Sequence, residues 1–389
     1  MKNNRTFLEK LLDGAEVEWK PLGDVCNFQN GFAFKSSLFK DNGFPIIRIT
    51  NIDGGRVNLS DVKYFLMDDY NTDMAAYEVH KDDILIAMSG ATTGKIGFYN
   101  YEHTSYLNQR VGKFLPNTNI LNNRYLYHYL LSKVEDIYII SGGGAQPNLS
   151  STRLMSEIFI PIPPLSVQTE IVKILDALTA LTSELTSELT LRRKQYEYYR
   201  EKLLSEEELG KVGFEWKSLS EVANIANNAR KPVKSSLRIS GSTPYYGANN
   251  IQDYVEGYTH DGEFVLIAED GSASLENYSI QWAVGKFWAN NHVHVVNGKE
   301  ELNNRFLYHY LANMNFVPFL AGKERAKLTK AKLQQIPIFI PPLEEQHHIV
   351  SILDKFETLT NSITEGLPLA IEQSQKRYEY YRELLLDFS

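Results

Sequence analysis

IPIPPLSVQTEIVKILD at residues 160–176 returns as FIPPLEEQHHIVSILD at residues 339–354, 178 positions further along the chain. Working outward, NNRYLYHYL (122–130) recurs as NNRFLYHYL (303–311), and KQYEYYREKLL (194–204) recurs as KRYEYYRELLL (376–386), at offsets of 181 and 182. Near the start of each half, EWKPLGDV (18–25) pairs with EWKSLSEV (215–222) at an offset of 197. Matches kept in the same order along the chain mean a duplicated unit. At 389 residues the chain also exceeds what one hydrophobic core usually organises, so two domains are expected on size alone.

The repeat is circular. RTFLEKLLDGAEVEWK (5–20) resembles REKLLSEEELGKVGFEWK (200–217), so the first residues mimic a helix end that lacks its helix. The natural partner of that stub is the C-terminal YYRELLLDFS (380–389), which would bring the termini together about a pseudo-two-fold axis.

Apolar residues recur at intervals of three and four through Ile171, Ile174, Leu178, Leu181, Leu185 and Leu189 to Tyr196, Tyr199 and Leu203. Ile349, Ile352, Phe356, Leu359, Ile363, Leu367, Ile371, Tyr378, Tyr381 and Leu385 repeat the pattern, with Gly366 and Pro368 marking a kink. This is a coiled-coil seam. A helix over residues 165–208 would span roughly 65 Å at 1.5 Å per residue, too long to pack within one small domain, so antiparallel pairing with its copy is the economical arrangement. Residues 27–120 and 223–300 share little identity, and each shows short β-type runs such as FPIIRITNI (44–52), DDILIAM (82–88) and EFVLIAE (263–269), separated by Gly, Asn and Asp turns. The expected fold is α+β (mixed α/β): two variable domains separated by two long antiparallel coiled-coil helices.

The formal net charge of −8 argues against indiscriminate coating of nucleic acid. The acid is concentrated, however, in the helical segments 165–210 and 331–389, which together carry −7, while residues 211–330 sit at +1. A local basic groove in the variable parts is therefore compatible with the composition. No apolar run approaches a membrane span. The opening MKNNRTFLEKLLDG lacks a continuous apolar signal core, and the lone Cys26 cannot form an intramolecular disulfide, so a cytoplasmic setting is expected.

The PPL…Q…IV.ILD segments, the YEYYR helix ends, the GAQPNLS loop (144–150) and the circular layout together resemble the specificity subunits of type I restriction-modification enzymes, over nearly the whole chain. The tandem TSELTSEL (182–189) is similar to the four-residue repeats of the type IC subgroup. The resemblance implies a helix stub at 1–15, target-recognition domains at 16–160 and 211–338, and conserved helical regions at 161–210 and 339–389. Each recognition domain would read one half of a bipartite double-stranded DNA target, with the helices as the ruler. It also implies two methylation subunits forming an adenine-N6 methyltransferase, to which two restriction subunits can add ATP-driven cleavage. S-adenosylmethionine, ATP and Mg would sit on those partners, with no cofactor, catalytic residue or metal in this chain.

Base reading needs donors and acceptors on loops that enter a groove, with Asn or Gln suited to adenine and Arg or Lys to guanine. In the first variable region Lys35, Arg48, Asn51, Thr92, Lys95, Gln109, Arg110 and Gln146 meet that description. In the second, Arg230, Lys231, Tyr245, Tyr246, Asn249, Asn291, His292, Lys323 and Arg325 do. Alternatives stand beside these: Tyr245 and Tyr246 as core aromatics, and the turns at 108–110 and 290–292 as strand-end caps. Tyr196, Tyr198, Tyr199, Tyr378, Tyr380 and Tyr381 at the helix ends suit either coiled-coil packing or docking of a methylation subunit.

Other motifs fail. GATTGKIG (90–97) has three residues, not four, between Gly90 and Gly94, and Ile96 where a phosphate loop needs Ser or Thr. His292 with His294, and His347 with His348, lack the companions of a zinc site. IPPL (340–343) lacks the acid or amide and the aromatic of a methyltransferase motif. These failures weigh against a stand-alone enzyme. Polar loops in two divergent domains weigh against a plain coiled-coil scaffold.

Overall fold

In each half the EWK strand pairs antiparallel with the strand that runs into the PPL motif, Glu18–Pro21 on Phe159–Ile162 and Glu215–Ser218 on Pro337–Ile340. The borders of each variable region are thereby brought together, which explains why these distant segments repeat as a set. The computed structural model describes residues 7–143, 147–322 and 326–388. The chain resolves into two units, Met1–Glu184 with Ile371–Ser389 and Leu185–Ala370.

The first unit holds a five-stranded sheet ordered Cys26–Asn30, Val111–Pro116, Ile84–Ala87, Ile96–Phe98, Gly55–Arg56. A four-stranded sheet follows the order Lys63–Phe65, Phe44–Ile47, Ser105–Leu107, Glu78–Val79, with Phe44–Ile47 parallel to Ser105–Leu107. The second unit has a six-stranded sheet in which Ser240–Tyr246 runs parallel to Ile280–Ala289 in the corresponding place. Ile84, Leu85, Ile86 and Ala87 are all buried, as expected of a strand covered on both faces. The mixed α/β reading of the variable regions holds.

The NNR motif opens a helix in both units. The Asn122 side chain accepts from the backbone amides of Arg124 and Tyr125, and the Asn303 side chain from those of Arg305 and Phe306, so each motif begins with its own N-cap. Gln168, fully buried on the long helix Leu165–Leu203, accepts from the Asn122 amide at 2.7 Å and donates to the carbonyls of Ile120 and Pro163. Gln346 repeats all three bonds on Asn303, Glu301 and Pro341.

Helix pairing is antiparallel in each unit. In the first, Thr182 meets Ser374 at 2.8 Å, while His128 bonds both Asp176 and Tyr378, so rising numbers on one helix face falling numbers on the other. In the second, Arg193 donates to the Thr360 carbonyl, while Tyr196 and Tyr199 stack on Phe356. The stub prediction holds as well: Leu8, Leu11 and Leu12 pack in one cluster with Leu385, Leu386 and Phe388.

The expected kink is a full break, with helix Leu343–Asn361 ending before helix Gly366–Leu386 begins. Gly366 has φ of +81°, and a Cβ there would lie 2.6 Å from the Thr358 carbonyl oxygen, so only glycine fits. The seam is also less buried than its periodicity suggests. On Leu165–Leu203 the buried residues are Val167, Gln168, Ile171, Val172 and Leu175, while Leu181 is exposed. Four residues turn a helix by about 400°, so a Leu stripe of that period winds off the contact line.

Candidate nucleic-acid interface

The loops carrying the polar candidates are tied together by backbone bonds at one end of each sheet system. In the first unit, Phe32 N donates to Leu107 O, Asn108 N to Ile47 O, Met88 N to Arg110 O and Leu149 N to Met88 O. In the second, Lys231 N donates to Ala289 O, Asn290 N to Tyr246 O, Glu269 N to His292 O and Leu328 N to Glu269 O. These are the same four bonds on corresponding residues, so two regions with little common sequence hold their loop ends in one backbone frame. A surface built this way varies its side chains without changing its skeleton.

Each unit also carries a polar cluster between its repeated helices. Arg124 and His128 both engage Asp176, and Arg305 and His309 both engage Asp354. Burial raises the Asp176 carboxyl, but the hydrogen bonds from His128 and Arg124 outweigh it and hold the group down at about 2. Burial pushes both His128 and His309 below their ordinary value, against the pull of their aspartates. His309, Asp354 and Glu357 bring three metal-type ligand atoms together, but Arg305 pairs with both carboxylates and supplies the positive charge there.

A family model for the type I restriction modification DNA specificity domain matches residues 15–191 and again 211–373. The chain belongs to this family. It is similar to the EcoR124I/EcoR124II specificity subunit of Escherichia coli, 32% identical over 98% of this chain and 97% of that one. S.HindORF215P of Haemophilus influenzae is 73% identical, but over 49% of each chain, so that match spans about half the relative's length. The crystal structure of the type I S subunit from M. genitalium has the same fold, with a TM-score of 0.59 at 18% identity and 96% of both chains covered. DNA recognition as a type I specificity subunit is the function of this family, and the repeated frames are its two specificity domains.

Within the first specificity domain, Lys35, Gln109 and Arg110 are exposed and Lys95 is half-exposed. None of the four has a side-chain ion pair among the described residues. Arg48 is half-buried, with Nη2 donating at 3.3 Å to the Asp61 carbonyl, and Thr92 donates to the Ile49 carbonyl. Asn51 is a correction. It is buried, accepting from the Arg48 amide and donating to the carbonyls of Asn58 and Asp61, so its amide shapes the loop and is out of reach of a base. Gln146 lies outside the described residues.

Within the second domain, Lys231, Asn249, Asn291 and His292 are exposed. Asn249 bridges its loop to the next, donating to the Gly271 carbonyl and accepting from the Ala273 amide. Arg230 is a strut, pairing with Glu269 at 2.7 Å and donating to the carbonyls of Asn291 and Val293. Tyr245 is a second correction: it is a core aromatic, fully buried, its hydroxyl accepting from the Val233 amide at 3.0 Å. Tyr246 is half-buried, edge-on to Phe287. Lys323 and Arg325 lie outside the described residues.

The capping weighed for the turns at 108–110 and 290–292 is present, the Arg110 and His292 amides each donating to the side chain of the asparagine two residues earlier. Asn290 is buried and caps its turn by accepting from the His292 amide at 2.8 Å, while the next two side chains stand exposed. Lys234 was missed. KSSL occurs at 35–38 and again at 234–237, each as a 3-10 turn with the same closing bond, Leu38 N to Lys35 O and Leu237 N to Lys234 O. That tetrapeptide was the available signal.

The helix-end tyrosines divide. Tyr378 bonds His128 and Tyr196 stacks on Phe356, so both are engaged in packing within their units. Tyr198 and Tyr380 are 57% and 61% exposed. Tyr380 and Tyr381 border a groove of about 540 Å³ with Leu178, Gln373, Lys376 and Arg377. No described helix is long and apolar enough to cross a membrane.

Proposed function

We propose that this chain is the non-catalytic reader of a type I restriction-modification complex, each specificity domain recognising one half of a bipartite DNA target. The observation that carries the reading is the shared backbone frame at residues 32, 88, 108 and 149 and its counterpart at 231, 269, 290 and 328, which presents different side chains on one skeleton. Lys35, Lys95, Gln109 and Arg110 are the proposed contacts of the first domain, and Lys231, Lys234, Asn249, Asn291 and His292 those of the second. Cations without a carboxylate partner among the described residues suit phosphates, and the amides and Arg110 suit base edges.

The helices set the spacer between half-sites, and the exposed Tyr198, Tyr199, Tyr380 and Tyr381 dock methylation subunits, which bring S-adenosylmethionine and the adenine-N6 chemistry. Restriction subunits with ATP and Mg complete the complex. An exposed aromatic patch beside a groove at the helix end supports the docking role. Methylome sequencing of cells with and without this chain tests the whole reading. The expected result is a two-part motif with one modified adenine on each strand, lost when the chain is deleted; a continuous motif, or methylation independent of the chain, overturns it.

A further inference from the structure

Arg110 and His292 occupy the same place in the two frames, since the carbonyl of each accepts from the residue just after a central strand, Met88 after Ile84–Ala87 and Glu269 after His260–Ala268, both at 2.8 Å. Their amides both face the side chain of the asparagine two residues earlier. Both side chains are exposed at the tip. Their surroundings differ. His292 Nδ1 lies 2.5 Å from the Asp270 carboxylate, whereas the residue corresponding to Asp270 is Ser89, whose buried hydroxyl has no partner among the described residues.

The contact with Asp270 decides what His292 offers. A carboxylate accepts only, so Nδ1 carries the hydrogen of the neutral ring and Nε2 is left as an acceptor. No protein partner of Nε2 is found among the described residues. Arg110, by contrast, is a donor in every protonation state.

We propose that residues 110 and 292 are corresponding base-reading positions with opposite demands. Arg110 selects guanine through its O6 and N7 acceptors, and His292, held in one tautomer by the positioning residue Asp270, selects a base whose major-groove edge carries an amino group, cytosine through N4 or adenine through N6. This rests on the reading of the chain as a two-headed DNA-specificity subunit.

The test is selection from random-sequence DNA with the full chain in complex with its methylation subunits, comparing wild type with Asp270→Asn, the double variant Asp270→Ser/His292→Arg and the reciprocal Arg110→His. The double variant should shift one position of one half-site from cytosine or adenine to guanine by about ten- to a hundredfold, leaving spacer and other half-site unchanged. Asp270→Asn, whose amide can donate to Nδ1 and reverse the ring tautomer, should weaken or invert the preference at that position. Arg110→His should relax guanine preference in the other half-site, which keeps the proposal testable if the double variant does not fold. Variants that bind less tightly with every base preference intact overturn this inference alone. A wild-type complex that selects no bipartite sequence overturns the underlying reading instead.

Discussion

His128, fully buried on the helix opened by Asn122, places Nε2 2.8 Å from Oδ1 of Asp176 on the long helix. The same ring's Nδ1 meets the Tyr378 hydroxyl at 3.0 Å, so one imidazole joins three helical segments of the first unit. His309 and Asp354 repeat the carboxylate contact at 2.7 Å in the second.

Removing the carboxylate should therefore cost stability before it costs recognition. In Asp176→Ala the buried His128 nitrogen and the Arg124 guanidinium lose their shared acceptor, a loss of about 1–3 kcal/mol, with the partial exposure of Asp176 favouring the lower end. A lower melting temperature with an unchanged DNA motif in the surviving complex is the expected result. An altered motif would show that the cluster takes part in reading.

The buried histidines make the fold acid-sensitive. His128, His260, His294 and His309 are each pushed below the ordinary 6.5, burial being the largest cause in every case. As pH falls below 6.5 the unfolded chain takes up protons that the native state refuses, so stability is complete above that value and declines beneath it. Asp176 acts in a separate window: with its folded value at about 2 and its ordinary value at 3.8, its contribution is present above 3.8 and disappears as pH falls through 2. Thermal melts from about pH 8 to about pH 4 should show the decline beginning near 6.5. A flat profile down to pH 5 would contradict the burial of these rings.

Asn290 should behave unlike the residues it supports. Its buried side chain caps the turn through the His292 amide, so Asn290→Ala leaves that amide without its partner and loosens the tip, at about 1 kcal/mol. Binding to the cognate DNA should weaken severalfold with no change in base preference. If competition assays show that the preferred base changes, Asn290 is itself a reader.

The duplicated borders were legible because named residues in them make the same side-chain bonds in both copies: Asn122 and Asn303 cap, Gln168 and Gln346 tie three backbone groups, and the Arg–His–Asp sets link their helices. The common frame of the variable regions was hidden, because corresponding residues stand 199 apart at Phe32 and Lys231, 182 at Asn108 and Asn290, and 179 at Leu149 and Leu328. Loops of different length move the offset, and backbone bonds place no demand on side-chain identity. Asn51 and Tyr245 looked like contacts for a related reason: a polar side chain that shapes a loop and one that reads a base have the same composition in sequence, and burial alone separates them.

The TSEL tandem, residues 182–189, offers the sharpest test of the ruler. One added TSEL lengthens the helix by about 6 Å and turns it by about 400°, nearly restoring the facing of residues beyond it. The second helical region can take up this change, since helix Leu343–Asn361 ends before helix Gly366–Leu386 begins. With about 3.4 Å per base-pair step, the tolerated spacer should grow by about one or two base pairs while both half-sites keep their sequence. Inserting two residues should instead turn the helix by about 200°, set the seam on the wrong face and lower the melting temperature. An unchanged spacer in the four-residue variant, with normal folding and binding, would remove the helices from any measuring role and leave them as braces alone.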